Sequence, residues 1–150
     1  METKININKQ PFNISEEYYW LTNSSEEGAI IIFVGKVRNH NFGDKVKELN
    51  LEHYPGMTEK VLHSIVTEAR NRWFLQRIRI IHRFGKLIPG NEIVLIGINS
   101  IHRSEAFTAA EFIIDHIKTR ALFWKNETTI FGNRWVNVRN SDYDALIRWN

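Results

Sequence analysis

The 150-residue sequence has no cysteine, only three prolines, and no apolar run near the ~18–20 residues that a membrane span requires. Without cysteine there is no disulfide, thiolate zinc site, iron–sulfur cluster or cysteine nucleophile. The six histidines lack metal-ligand spacing, and no HExxH, P-loop, GxGxxG or GxSxG motif occurs, so we expect neither metal nor cofactor. Segment 1–13 lacks the apolar stretch of a signal peptide, and we therefore expect a cytoplasmic location.

Apolar residues make up 43% of the chain and aromatic residues 12%, which is typical of an ordered globular protein. The length predicts a single domain, 1–150. The net charge is +3, but it is unevenly distributed. Residues 70–86 carry six bases and no acid, 118–139 carry five bases and one acid, and 1–35 carry five acids and two bases. This asymmetry indicates an anionic ligand or partner, or else a solvated surface.

Apolar periodicity predicts an α+β fold. The run 28–37 indicates a strand buried on both faces, and Ser15 and Ser104 are candidate helix caps. Two long helices inserted between hairpins favour a mixed, mostly antiparallel sheet over a doubly wound parallel sheet. The predicted strands are 3–8, 28–37, 46–54, 78–84, 93–99, 123–130 and 134–138, the last two forming a C-terminal hairpin; the predicted helices are 15–21, 57–73, one from Ser104 to about 121, and 141–149.

A lysine lies on the predicted apolar stripe of the second long helix. Lys118 is about 20° from Phe107 on a helical wheel. Partial burial there would lower the pKa of its amine and make it a candidate acid, base or nucleophile. A lysine near a helix C-terminus is equally explained by snorkelling and by the helix dipole. The predicted stripe is Phe107, Ala110, Ile114, Ile117 and Ala121.

Three further groups of side chains can bind an anion or a flat ring. Each also has a bland explanation, as a helix cap, a polar turn or the edge of the core. His102 and Arg103 precede a helix N-terminus, which suits phosphate. The segment 36–40 (Lys36, Val37, Arg38, Asn39 and His40) runs from the end of a predicted buried strand into a loop, and such loops often carry binding residues. Tryptophans beside cations can form stacking surfaces in two segments, 124–127 and 134–139.

The order of these segments resembles the large, catalytic subunit of molybdopterin synthase. The matching segments are FVGKVRNHNFGDKV, LEHYPGMTEKVL, EARNRW, IHRFGKLIPGNEIV, SIHRSEAF and KTRALFWKNE. The resemblance implies an α/β-hammerhead fold and a central homodimer of large subunits. Each large subunit would bind a ubiquitin-like small subunit, giving a heterotetramer. The small subunit's C-terminal Gly-Gly, activated as a thiocarboxylate, would enter the active site and donate sulfur to cyclic pyranopterin monophosphate. Two such transfers would form the dithiolene of molybdopterin.

The same resemblance implies the site residues. It assigns catalysis to Lys118 and Lys125, leaving open whether Lys118 acts as an acid or base, acts covalently or holds the thiocarboxylate. It also implies that Arg139 is contributed by the neighbouring large subunit. The implied substrate-binding residues are Lys36, Val37, Arg38, His102, Arg103, Lys118, Lys125, Asn126, Glu127 and Arg139.

Two alternatives come from other classes of protein. The basic stretch 70–86 with its interleaved aromatics is also a feature of nucleic-acid-binding modules, which bind in a salt-sensitive way. A non-catalytic scaffold for a ubiquitin-like partner would tolerate loss of the Lys118 charge. The resemblance favours the enzyme, with no nucleic-acid or membrane partner.

Overall fold

The structure, a computed structural model, describes residues 1–22, 25–121 and 123–150. Helices and strands alternate as an α+β fold, which confirms the predicted class. The elements are β1 Glu2–Asn8, α1 Ile14–Leu21, β2 Ala29–Lys36, β3 His40–Asn41, β4 Asp44–His53, α2 Met57–Arg72, β5 Arg77–Arg83, β6 Gly85–Leu87, β7 Glu92–Ser100, α3 Arg103–Arg120, β8 Phe123–Thr129, β9 Gly132–Val136, α4 Asn140–Leu146 and a 3-10 helix Ile147–Trp149.

The main sheet has four strands in the order β1-β5-β7-β2. Strands β5 and β7 pair antiparallel, as the predicted hairpin requires, and β2 pairs antiparallel with β7. Strand β1 pairs parallel with β5. Near the end of β2, Gly35, Val94 and His82 lie side by side on three adjacent strands, and this row forms one wall of the cavity described below.

Strand β2 corrects one prediction. The apolar run 28–37 indicated a strand buried on both faces, but β2 is the edge of the main sheet and most of its residues are only half-buried. Phe33, in its middle, is 38% exposed. An apolar run therefore identified the strand correctly but not its position in the sheet, because composition alone does not distinguish a central strand from an edge whose faces are partly covered.

The second sheet is built on β4, which pairs with β3, β6 and β8. Strands β8 and β9 form the predicted C-terminal hairpin, with the turn at Ile130–Phe131 and Gly132 already in β9 at a φ of +105°. Strand β6 leaves the β5–β7 hairpin to join β4, so that hairpin connects the two sheets. A small apolar cluster closes the junction; it consists of Val37, Leu49, Leu51 and Leu87, with Phe84 and Ile93 against it.

The main core lies between the main sheet and helices α2 and α3. Helix α3 buries Ala106, Ala109, Phe112 and Ile113 as well as the predicted Ala110 and Ile117. Phe107 is 59% exposed, so the predicted stripe was rotated too far toward solvent. The alanines caused the error, because small residues mark the face of α3 that packs closest to β7 and β2.

The helix caps also differ from prediction. The side chain of Asn13, not Ser15, caps α1 by accepting a hydrogen bond from the Glu16 backbone N–H at 3.2 Å. His102 rather than Ser104 is the N-cap residue of α3, and its side chain makes no capping bond. The N-terminus of α3 therefore keeps its backbone N–H groups without a side-chain cap from His102.

Candidate active site

A cavity of about 430 Å³ opens where the main sheet, the C-terminal half of α3 and the second sheet meet. Val94, Ile114 and Ile117 supply apolar wall. Seven of the ten predicted substrate-binding residues line it. They are Lys36 at the end of β2, Val37 and Arg38 after it, Lys118 on α3, Lys125 and Glu127 on β8, and Arg139 before α4.

The alternation of side chains along a strand explains which residues of β8 face the cavity. Phe123, Lys125 and Glu127 share the face toward the cavity, since successive side chains on a strand point to opposite faces. Asn126 lies on the other face, in register with Trp135 on β9, and does not line the cavity. The implied binding role of Asn126 therefore has no counterpart in the geometry of this chain.

His102 and Arg103 lie at the far end of α3. They line a separate open depression with Gly28, Ile101 and Ser104. Along the helix, fifteen residues separate Arg103 from Lys118, which corresponds to about 22 Å. Within one chain these two residues therefore do not share the cavity with the lysines.

Lys118 is exposed at the cavity mouth rather than partly buried, because it continues the solvent-facing side of α3 that carries Phe107. The buried amine belongs instead to Lys125. The pKa of Lys125 is lowered to about 8, with burial as the largest cause and the positive charge of Lys118 as the next; the Asp142 charge opposes the shift, and Arg139 and Arg38 add smaller lowering effects. An amine with this pKa exchanges a proton near neutral pH, which an ordinary lysine does not.

The cavity is strongly cationic. Five lysine and arginine side chains line it, and none of them forms an ion pair with a carboxylate side chain within the described residues. The acids in its wall are Glu127 and Asp142. Such a site favours an anion, and the low dielectric of a partly closed cavity strengthens the attraction. The five cations are Lys36, Arg38, Lys118, Lys125 and Arg139.

A hydrogen-bond network centred on Asn41 holds two of the predicted residues. The buried Asn41 donates from Nδ2 to Glu127 Oε2 at 2.8 Å, and its Oδ1 accepts from Arg139. Arg134 joins the Asn41 carbonyl at 2.8 Å to Glu127 Oε1 at 2.9 Å. Phe42, with a φ of +52°, makes the turn and lies 5.5 Å from the Arg134 guanidinium and 5.1 Å from that of Arg139.

Sequence reasoning missed Asn41 as a site residue, although it lies in the polar segment RNHNFGD after the predicted strand. It also treated His82 only as one histidine without metal-ligand spacing, yet His82 lines the cavity. The sequence carries a local indication of both Asn41 and His82, because polar residues at or just after the end of a strongly apolar strand often face a binding site.

Arg139 reaches the cavity of its own chain. Its guanidinium bonds to Asn41 and stacks on Phe42, and its backbone N–H donates to Asp142 Oδ2 at 3.2 Å. Arg139 therefore lines the same cavity as Lys125 within one chain, and its contribution from a neighbouring subunit stays a prediction.

The basic stretch 70–86 is engaged inside the protein. Arg79 is 4% exposed and its Nε lies 2.5 Å from Glu17 Oε2, and Arg77 pairs with Glu2 at 2.9 Å. These contacts join the acidic N-terminal segment to the basic stretch and explain the charge asymmetry without an external anion. The remaining bases contact carbonyls or acids of the same chain; they are Arg70, Arg72, Arg83 and Lys86.

None of the helices in residues 1–22, 25–121 and 123–150 is both long enough and apolar enough to pass through a membrane. Within those same ranges, no group of three or more histidine, aspartate or glutamate side chains is arranged to hold a metal ion.

Comparison with known proteins identifies the family. The family model described as MoaE protein matches residues 7–120. The chain is 60% identical over 148 residues to the molybdopterin synthase catalytic subunit of Escherichia coli K12, covering 99% of both chains. A solved MoaE protein from Burkholderia ambifaria is 42% identical, with a TM-score of 0.84 over 99% of this chain and 98% of that one.

A Helicobacter pylori structure, a complex of subunits 1 and 2 of molybdopterin-converting factor, shares the fold at 19% identity. Its TM-score is 0.71 over 91% of each chain. The family model spans most of the chain, and the sequence matches extend over nearly all of it. The chain therefore belongs to the MoaE family, the catalytic subunits of molybdopterin synthase.

Proposed function

We propose that this protein transfers sulfur from a thiocarboxylated ubiquitin-like small subunit to cyclic pyranopterin monophosphate, forming the dithiolene of molybdopterin. The observation that carries the proposal is the cavity with five lysine and arginine side chains, one of which, Lys125, has a lowered pKa. Both proposed ligands, a cyclic phosphate and a C-terminal thiocarboxylate, are anions. The nucleophile is the partner's sulfur, which accounts for an active site built without cysteine.

The geometry divides the work between the two lysines. Lys125, with a pKa of about 8, is the residue suited to move a proton during the reaction. Lys118, exposed at the mouth, is suited to hold the thiocarboxylate as a point charge. Arg38 and Arg139 supply guanidinium groups that can bind phosphate bidentately and stabilise charge as the phosphate ring opens.

A second copy of the chain completes the proposed site. If His102 and Arg103 bind the substrate, they must come from another subunit, because they lie about 22 Å along α3 from Lys118 in their own chain. The homodimer is therefore part of the proposal, with the shared residues being His102 and Arg103 rather than Arg139. The small-subunit partner is supported by the cationic cavity and by the Helicobacter pylori complex of the same fold.

Reconstitution tests the proposal. The protein is mixed with thiocarboxylated small subunit and cyclic pyranopterin monophosphate, and the dithiolene product is assayed. Lys125→Ala should abolish turnover while the complex still forms. Full activity in that variant would favour the scaffold alternative, and no product from the wild-type protein with a competent partner would refute the function. A cytoplasmic location is part of the same proposal and is tested by cell fractionation.

Mixed dimers test the shared site. Lys118→Ala and Arg103→Ala chains, each inactive alone, should regain activity when co-assembled, because one of the two sites then has both residues intact. Lys118→Ala with Arg139→Ala should regain none, because each site lacks one of the two residues. Recovery in the second pair but not the first would reverse the assignment.

A further inference from the structure

His82 is a buried histidine for which the proposed reaction so far has no use. It lies near the end of β5, in register with Val94, which is itself in register with Gly35. All three line the cavity, and His82 is 5% exposed. The imidazole is therefore part of the wall, at the end of the sheet, and not a surface group.

Two contacts fix the ring, and further hydrogen bonds hold Arg83, which supplies one of them. Its Nδ1 lies 2.8 Å from the Arg83 carbonyl oxygen. A face of the ring stacks on Phe123, with centroids 3.6 Å apart and planes 13° from parallel. The Arg83 guanidinium donates to the carbonyls of Lys9 at 3.2 Å and Glu92 at 2.9 Å, so the strand that carries the acceptor is itself held.

These contacts decide the tautomer. A carbonyl oxygen only accepts, so Nδ1 must carry the proton and donate it. Nε2 then presents a lone pair, and it has no hydrogen-bond partner within residues 1–22, 25–121 and 123–150. The pKa of His82 is lowered to about 3, with burial as the largest cause; the hydrogen bond to the Arg83 carbonyl opposes the shift, and the charges of Lys125, His53 and Lys118 add to it. The ring is uncharged throughout the neutral range and acts only as an acceptor at Nε2.

The cavity wall has other acceptors, among them Asp142, Asn137 and Ser141, but these belong to the segment that follows β9, whereas His82 lies on the main-sheet wall. The cavity's five cationic side chains offer donors for an anion. Glu127 already accepts from Asn41 on one oxygen and from Arg134 on the other. The uncharged part of a pterin carries N–H and amino donors, and each such donor costs free energy if it is buried without an acceptor.

We propose that His82 is a substrate-binding residue that accepts, at Nε2, a hydrogen bond from a ring N–H or amino group of the pterin. This rests on the proposed function, of which it specifies the recognition step. The cations would bind the phosphate, while the neutral imidazole and the apolar wall of Val94 and Ile117 would bind the heterocycle. The alternative donor is a backbone N–H of the partner's Gly-Gly tail, and the experiment separates the two.

The test compares His82→Phe with His82→Gln in the reconstituted complex. Phenylalanine keeps a ring to stack on Phe123 but has no acceptor, whereas glutamine restores an acceptor oxygen. We expect His82→Phe to raise KM for cyclic pyranopterin monophosphate about tenfold, the effect of one lost hydrogen bond, with kcat changed less than threefold. His82→Gln should recover part of the loss. The Kd for the small subunit should be unchanged in both variants.

Further readouts make the result decisive. The pKa of His82, about 3, lies well below the assay range, so the ring stays neutral throughout it. The ratio of variant to wild-type KM should therefore be constant from about pH 6 to about pH 9. An unchanged KM in a folded His82→Phe variant would overturn the proposal. If KM is unchanged and the Kd for the small subunit rises, the contact belongs to the partner's Gly-Gly tail instead. If His82→Phe does not fold, as judged by circular dichroism, His82→Gln and His82→Asn replace it, because they place the acceptor oxygen at different positions. A KM equal to that of the wild-type protein in both variants would refute the proposal. An inactive wild-type complex refutes the proposed function instead.

Discussion

Removing the charge of Lys118 should raise the pKa of Lys125. The pKa of Lys125 is about 8 against an ordinary 10.5, with burial as the larger cause and the Lys118 charge as the next. In Lys118→Met the burial remains and the charge is lost, so we expect a rise of about 0.5 to 1 pH unit, well short of 10.5. At pH 7 the neutral fraction of Lys125 would fall from about 10% to about 1–3%.

The assay is an NMR titration of isotopically labelled lysine side chains in the free protein, with the Lys125 signal assigned by Lys125→Arg. It needs no turnover, so it is independent of any direct role of Lys118 in the reaction. Lys118→Arg keeps the positive charge and should leave the pKa of Lys125 at about 8. Lys60→Met, on the exposed side of α2, controls for loss of a remote charge. A wild-type pKa near 10.5, or equal shifts in Lys118→Met and Lys118→Arg, would refute the electrostatic reasoning.

Three more predictions concern stability and substrate binding. Because the folded pKa of Lys125 lies below its unfolded value, the free energy of unfolding rises with pH between about 8 and 10.5. Lys125→Met should therefore stabilise the protein at pH 7 by up to about 3 kcal/mol, a gain that disappears near pH 10.5 in urea titrations. His82 has its pKa lowered to about 3, so the wild-type protein should lose stability as pH falls below about 6.5, and His82→Phe should lose less over pH 7 to 4. Asn41→Ala leaves Glu127 and Arg139 each without one partner, and should cost about 1–3 kcal/mol in urea unfolding and raise KM for the cyclic phosphate; an unchanged KM would show that the Asn41 network is structural only.

The sequence predicted the elements of this fold better than their environments. Helix 57–73 and the strand pair 78–84 and 93–99 were found because their apolar periodicity is strong, and α2, β5 and β7 confirm them. The errors concern neighbours in space. Whether the run 28–37 lies at a sheet edge depends on which strand comes to lie beside it, and that is decided by the whole topology.

In the site too, the residues were predicted better than their environments. The motif residues identified seven cavity residues, because a family's motifs record positions that face one place in the fold. The motifs do not identify which lysine is buried. The helical wheel leaves open whether Lys118 is partly buried or snorkels to solvent; the structure exposes Lys118 and buries Lys125. Side-chain networks such as that of Asn41 bring together residues up to 98 positions apart, and no local pattern encodes them.

The position of the charges, not their number, indicates what this protein binds. Both basic stretches look alike in composition, and the one at 70–86 has the higher density of arginine. Its guanidinium groups are satisfied by the N-terminal acids and by backbone carbonyls, as in the 4%-exposed Arg79 held by Glu17. The cations around the cavity have no carboxylate ion pairs within the described residues, and their repulsion adds to burial, the larger cause, in lowering the pKa of Lys125. An anion that binds in the cavity relieves this repulsion. The electrostatic free energy gained in this way favours binding of the negatively charged substrate and of the partner's tail.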